Sequence, residues 1–293
     1  MHRLLLHNDD ILDTQQKSLS AGQVGLLNGW GVFSTIRVAD GVLFAFERHW
    51  ERMHTDARRL HVPFPASPDW LKSRLLRLAE ANKVRNGTLR VAVIRNHGGL
   101  FEGPGIARDF DVIAFTTDLH HWSESVRLSI KPHGRHAQSE FAGAKITSWA
   151  QNLTWYEEAH QRGFDEVVLL NERGEVSECT SANIFALQGS QVATPPLNSG
   201  CLPGITRQLL LEEIRVPGIT VVEQTLMPAD LQEANQVFIT SSTRDLLAVA
   251  EIEGFRVKSE GLAVVSALVK AFGEYRDAYV KQSAAKRLDK VTA

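Results

Sequence analysis

The chain has 293 residues, 43% hydrophobic and 23% charged, with a formal net charge of -2; it is long enough for two domains with a substantial core, and that charge favours no polyanionic partner such as nucleic acid. The opening MHRLLLHNDDILDTQ has one brief apolar run and then turns acidic, unlike a signal peptide, and no stretch nears the roughly 20 apolar residues of a membrane span. A soluble cytoplasmic protein is expected.

In chain order, RVADGVLFAF predicts two strands joined at Asp40-Gly41, a strong hairpin signal. A helix follows from near Glu47, with Met53, Ala57 and Leu60 on its apolar side, and another spans about Trp70 to Ala81 behind PFPASPD. TLRVAVIR and FDVIAFTT read as strands separated by the glycine-rich NHGGLFEGPG. These pieces make a small α/β domain over residues 1–117, with 118–127 as the interdomain connection and 128–293 as a larger second domain. In the latter, Trp149, Leu153, Tyr156 and His160 have a helical rhythm. EVVLLN and ANIFALQ read as strands with NERGE as a turn, Gly204 to Arg215 as a helix behind a proline-glycine entry, QVFITSS as a strand and Gly261 to Tyr275 as a helix. No GxGxxG follows a strand and no GxxxxGK[ST] is present, which argues against the usual dinucleotide and triphosphate loops.

The two cysteines, Cys179 and Cys201, form no CxxC pair, and the adjacent His120 and His121 would point apart in an extended chain, so no metal site is expected. The chemistry concentrates in FAGAKITSWAQNLTWYEEAHQRGFDEVVLLNERGEVSECTSANIF. Lys145 stands just before a predicted helix; a packed frame there would desolvate its amine, lower its pKa and suit it to imine formation. Glu178 either braces the Ser177 to Asn183 loop or holds a proton on a heterocyclic nitrogen. Together the two residues suggest pyridoxal phosphate.

Gly204, Ile205 and Thr206 in LPGITR put open N–H groups and a hydroxyl at a helix entry, a credible phosphate cup. Ser241, Ser242 and Thr243, at the end of QVFIT, are further donors or ordinary caps. Arg52 could reach the same phosphate from the first domain. Arg90 lies among apolar residues, as a carboxylate clamp or as an edge-strand residue pointing to solvent.

From GWGVFSTIRVADG through FERHWERM, GAKIT, GEVSECTSANIF and LPGITR to VFITSSTRDL, the order and spacing of these segments resemble the fold-type IV pyridoxal phosphate enzymes, the class IV aminotransferases. That family comprises branched-chain aminotransferases, D-amino acid aminotransferases and aminodeoxychorismate lyases. The resemblance implies a mixed α/β (α+β) enzyme of two domains, with pyridoxal 5'-phosphate in the interdomain cleft, and a homodimer. It implies that Lys145 is the Schiff-base lysine, that Glu178 faces the pyridine nitrogen, and that Arg52, in the HxxR pattern from His49, binds phosphate. The amides of Ile205 and Thr206, with Gly204, Ser241 and Ser242, fall on the rest of the phosphate site, while Phe33, Arg90 and Thr243 fall on the substrate side. Phe33 stands where many of these transaminases have tyrosine, and the early motif looks lyase-like. The activity expected is amino transfer from a branched-chain type of amino acid to a 2-oxo acid. Its alternatives are pyruvate release by an aminodeoxychorismate lyase and transfer from D-amino acids.

Overall fold

The computed structural model describes residues 1–20, 22–99 and 106–292. The chain forms two compact units, the first made of residues 1–120, 145–149 and 277–293 and the second of 121–144 and 150–276. Of the glycine-rich segment NHGGLFEGPG, residues 100–105 lie outside the described residues.

The first unit contains β1 (Leu4–His7), β2 (Asp10–Asp13), α1 (Val24–Asn28), β3 (Gly31–Ala39), β4 (Val42–Leu43), α2 (Phe46–Arg59), α3 (Pro68–Ala81), β5 (Gly87–Arg95) and β6 (Phe110–Thr117). Its sheet runs β2-β1-β6-β5-β3-β4 with antiparallel pairing throughout. Asp40 and Gly41 both adopt positive φ, as a two-residue type I′ hairpin requires. Strand periodicity then separates two faces. Val32, Ile36, Val38, Leu89, Val91 and Val93 share a core with Met53 and Ala57 of α2 and Leu71, Leu75 and Leu78 of α3. Each of the valine, leucine, isoleucine and methionine side chains among them contributes about 1.5–3 kcal/mol when fully buried. Phe33 and Arg90 alternate with those positions and therefore lie on the sheet's other face; Thr35 is the register partner of Arg90 and Ala92 that of Phe33.

Helix α2 buries His49, Arg52 and Asp56 along with Phe46, Met53 and Ala57. Its inward stripe is therefore half polar. Beyond Phe33 the pairing of β3 with β4 covers only Val38 and Ala39, leaving the start of β3 open on that side. The segment 145–149 fills this edge: Ile146 bridges to Val32, the Phe33 N–H donates to the Lys145 carbonyl at 3.1 Å, and the Thr147 N–H donates to the Gly31 carbonyl at 2.9 Å. These bonds explain why five residues distant in sequence belong to the first unit.

The second unit contains β7 (Ser125–Lys131), α4 (Ala150–Gln161), β8 (Glu166–Leu170), β9 (Val176–Cys179), β10 (Asn183–Gln188), β11 (Gln191–Thr194), α5 (Ile205–Glu212), β12 (Thr220–Glu223), α6 (Pro228–Glu233), β13 (Gln236–Ser241), β14 (Asp245–Ile252) and β15 (Phe255–Arg256). Helix α7 (Leu262–Thr292) runs out of it, its residues from Asp277 counting with the first unit. The sheet order is β12-β11-β10-β13-β14-β7-β8-β9, with β15 on β14. The pairs β14 with β7, β7 with β8, and β11 with β12 are parallel, and the rest are antiparallel.

Two local expectations differ from what the chain adopts. Strand β7 begins at Ser125, inside the stretch read as a connection, because SVRLSIK alternates and buries Val126 and Leu128. Helix α7 is 31 residues long and continues well past Tyr275. Helix α4 forms where the helical rhythm from Trp149 to His160 predicts one, with Asn152 and Ala159 as its buried positions and Leu153 and His160 exposed.

Candidate active site

In the first unit, the Lys145 Nζ lies 4.6 Å from the centroid of the Phe33 ring, and the Arg90 guanidinium lies 4.0 Å from the same centroid. Trp149 meets Phe33 edge-on at 5.9 Å. Phe33 is 2% exposed, so the ring is a fixed platform with two cations over it. Cation–π attraction is worth about 0.5–2 kcal/mol at such contacts. Arg90 belongs to the interior strand β5 and not to an edge. Burial lowers its pKa from the usual arginine value, and no carboxylate pairs with it among the described residues. A desolvated guanidinium of this kind favours a planar anion as ligand.

Behind β3, the Arg52 Nη2 donates to the Ser34 Oγ at 2.9 Å, and Ser34 Oγ is 2.7 Å from the His49 Nδ1. His49 is pushed well below its ordinary pKa by burial, with the charges of Arg52 and Lys145 adding to the effect; it is neutral at pH 7. Asp56, one turn beyond Arg52, accepts the Lys145 backbone N–H at 3.0 Å.

In the second unit, Glu178 is buried on β9. Its Oε1 accepts from the Arg135 Nε at 2.9 Å and its Oε2 from the Leu202 N–H at 3.1 Å. Arg135 also reaches the Asn152 Oδ1 at 3.3 Å, and the Asn152 Nδ2 donates to the Thr180 carbonyl at 2.8 Å. The carboxylate is thus held from both oxygens while each keeps an acceptor site.

Leu202 leads directly into Gly204, the N-cap of α5, which has no side-chain cap. The first amides of a helix have no partner within it, and Ile205 and Thr206 supply them here. A Cβ on Gly204 would overlap the Asn183 Oδ1. Asn183 pairs with Thr240 in the β10–β13 register and donates from Nδ2 to the Leu202 carbonyl at 2.9 Å. The helix start therefore lies beside the end of β13, where Ser241 accepts the Arg244 N–H at 3.2 Å and comes within 3.5 Å of the Thr243 hydroxyl. Ser242 is half-buried in the same turn. Arg244 donates to the Ser181 Oγ at 2.9 Å and the Glu166 Oε2 at 3.2 Å, and Glu166 also accepts from the hydroxyls of Thr180 and Ser181. This network braces the Ser241–Thr243 turn against the strand connection that follows Glu178.

The expected residues accordingly fall into two groups. Lys145, Arg52, Phe33 and Arg90 share one unit, and Glu178, Gly204, Ile205, Thr206, Ser241, Ser242 and Thr243 share the other. Within the second unit, the capless helix entry and the glycine with no room for a methyl group suit an anion such as a phosphate, and the fixed carboxylate suits a protonated ring nitrogen; within the first, the amine on its aromatic platform suits an aldehyde carbon.

Residues 31–252 match the family model of amino-transferase class IV. The chain belongs to this family. Among curated relatives, a putative branched-chain-amino-acid aminotransferase of Methanocaldococcus jannaschii is 26% identical over 266 residues, covering 90% of this chain and 92% of that protein. Among solved structures, a hypothetical aminotransferase from Mycobacterium tuberculosis in its PLP-bound form superposes with a TM-score of 0.79 at 24% identity, covering 92% and 98% of the two chains. A putative 4-amino-4-deoxychorismate lyase from Legionella pneumophila does so with a TM-score of 0.79 at 24% identity, covering 88% and 97%. Both likenesses are of fold.

Within this class IV chain, sequence reasoning had no site role for Ser34, Asp56, Arg135, Asn183, Glu166 or Arg244. The spacing of His49, Arg52 and Asp56 carried a usable signal: three polar residues at helical intervals on a face with Met53 and Ala57. Arg135 and Asn183 carried none, because their partners are brought in by strand pairing.

Proposed function

We propose that the protein is a pyridoxal 5'-phosphate-dependent aminotransferase that moves an amino group between an amino acid, of the branched-chain type, and a 2-oxo acid. The observation that carries this reading is the pairing of the Lys145 amine with the Arg90 guanidinium over one Phe33 ring. One group suits the amino end of a substrate and the other its carboxylate, and the aromatic surroundings suit an apolar side chain. The family membership and the name of the archaeal relative support the same choice.

When bound, the cofactor supplies an electron sink that a protein side chain cannot provide. Lys145 would hold the cofactor through its amine, and its Nζ is the group that would take the proton from the substrate's Cα. Glu178, its oxygens fixed by Arg135 and the Leu202 N–H, would hold a proton at the ring nitrogen. The Ile205 and Thr206 amides and the Ser241–Ser242 hydroxyls would hold the phosphate, and Arg52 is the guanidinium proposed for the same group. Arg90 orients the substrate carboxylate, with Thr243 on the substrate side.

A second reading is elimination of pyruvate from aminodeoxychorismate, favoured by Phe33, which brings no hydroxyl to the substrate side. Incubating the loaded enzyme with single L- and D-amino acids, and with aminodeoxychorismate, separates the two. Conversion of the cofactor to its pyridoxamine form by branched-chain amino acids is expected. Failure with every amino acid, together with pyruvate release in the absence of any 2-oxo acid, would establish the lyase instead. A homodimer is the assembly proposed, to be read by sedimentation.

A further inference from the structure

We propose that Asp56 is the positioning residue of Lys145, holding the lysine's main chain through its carboxylate. The inference rests on the amine role given to Lys145 above. Asp56 is 3% exposed, and a buried carboxylate is costly unless hydrogen-bonded. Its Oδ2 receives the Lys145 N–H at 3.0 Å. Its Oδ1 is 3.8 Å from the Arg59 Nη1, beyond hydrogen-bonding distance. Burial raises the pKa of Asp56, and the largest opposing influence is that same backbone N–H, ahead of the charges of Arg52, Arg59 and Lys145.

The Lys145 peptide is consequently gripped from two sides. Its carbonyl and the amide of Thr147 are tied to β3 through Phe33 and Gly31, and its own N–H is tied to α2. The strand bonds leave the residue free to tilt about the edge of the sheet. Asp56 removes that freedom, and the Lys145 Nζ is set over Phe33 as a result. Because α2 also carries Arg52 one turn earlier, the same helix fixes both the amine's origin and the guanidinium expected at the phosphate.

The test is site-resolved hydrogen exchange on the cofactor-free protein, combined with the visible absorbance that appears when pyridoxal 5'-phosphate joins a lysine. The wild type is compared with Asp56→Asn, which keeps an acceptor oxygen, and Asp56→Val, which does not. The Lys145 amide is expected to be protected in the wild type. In Asp56→Val it should exchange about tenfold faster or more, with the amides of β5 unchanged, as for loss of a charge-assisted hydrogen bond. That variant should also lose most of the visible band, while Asp56→Asn keeps both the protection, within about threefold, and the band.

A freely exchanging Lys145 amide in the wild type would overturn the proposal whether or not Asp56→Val folds. Wild-type protection in Asp56→Val, or an Asp56→Asn variant that falls as far as Asp56→Val, would also overturn it. If the exchange rates behave as expected but the wild type forms no visible band, the holding role stands and the cofactor reading falls.

Discussion

Gly204→Ala is the sharpest probe of the helix entry read as a phosphate cup. Gly204 has φ -66° and ψ 142°, a conformation open to alanine, so the backbone alone does not require glycine. The space does: the new methyl would overlap the Asn183 Oδ1 and lie 3.2 Å from its Cγ. Asn183 is 5% exposed and holds the Leu202 carbonyl, so it cannot yield without breaking that bond. Overpacking costs about 1–3 kcal/mol and the lost hydrogen bond about 0.5–1.5 kcal/mol, so a loss of about 2–4 kcal/mol is expected. Urea unfolding followed by circular dichroism and tryptophan fluorescence measures it, provided the two probes coincide. Affinity for pyridoxal 5'-phosphate should fall in parallel, because Ile205 and Thr206 follow directly. Combining Gly204→Ala with Asn183→Ala should recover the overpacking part, as coupled neighbours do. A Gly204→Ala variant within about 0.5 kcal/mol of wild type would refute the steric argument and with it the claim that this turn is shaped for close approach.

Three further perturbations address the remaining groups. Replacing Arg135 by Met leaves Glu178 buried with one of its two anchors gone; a stability loss of about 3 kcal/mol and weaker cofactor binding are expected, the latter from fluorescence titration, whereas Arg135→Lys should restore part of both. Arg90→Met should raise KM for the amino acid by about ten- to a hundredfold in half-reaction kinetics, with a much smaller change in cofactor affinity; an unchanged KM would remove Arg90 from the substrate side. His49 is held neutral, its folded pKa lying below its unfolded value, so the unfolded chain binds more protons in acid. Its contribution is complete above about pH 6.5 and is lost as pH falls below that, by at most about 1.4 kcal/mol per pH unit. Denaturation at pH 7.5 and 5.5 should show this slope in the wild type and a reduced one in His49→Asn.

Much of this was legible in the sequence because it depends on short-range chemistry. Asp40-Gly41 specifies a type I′ turn by itself, β3 and β5 alternate cleanly, and LPGITR announces a helix entry without a side-chain cap. What the sequence did not disclose depends on pairings between distant segments. Nothing in GAKITSW marks it as an edge addition to β3, since its bonds are made by main-chain groups common to every residue. Asn152 is buried on α4 because Arg135 and the Thr180 carbonyl use its amide, and both partners are distant in sequence. Only the fold shows that the Asp56 carboxylate is spent on the Lys145 N–H. Phe33 was noted for the hydroxyl it lacks, whereas its ring is what places two cations together.

The account rests most heavily on the amine at position 145. Mixing the purified protein with pyridoxal 5'-phosphate, reducing with borohydride and mapping the modified peptide by mass spectrometry reads it directly. A single phosphopyridoxyl group on Lys145, absent in Lys145→Ala, is the result predicted. A label spread over surface lysines, or a specific label elsewhere with Lys145 unmodified, would contradict it.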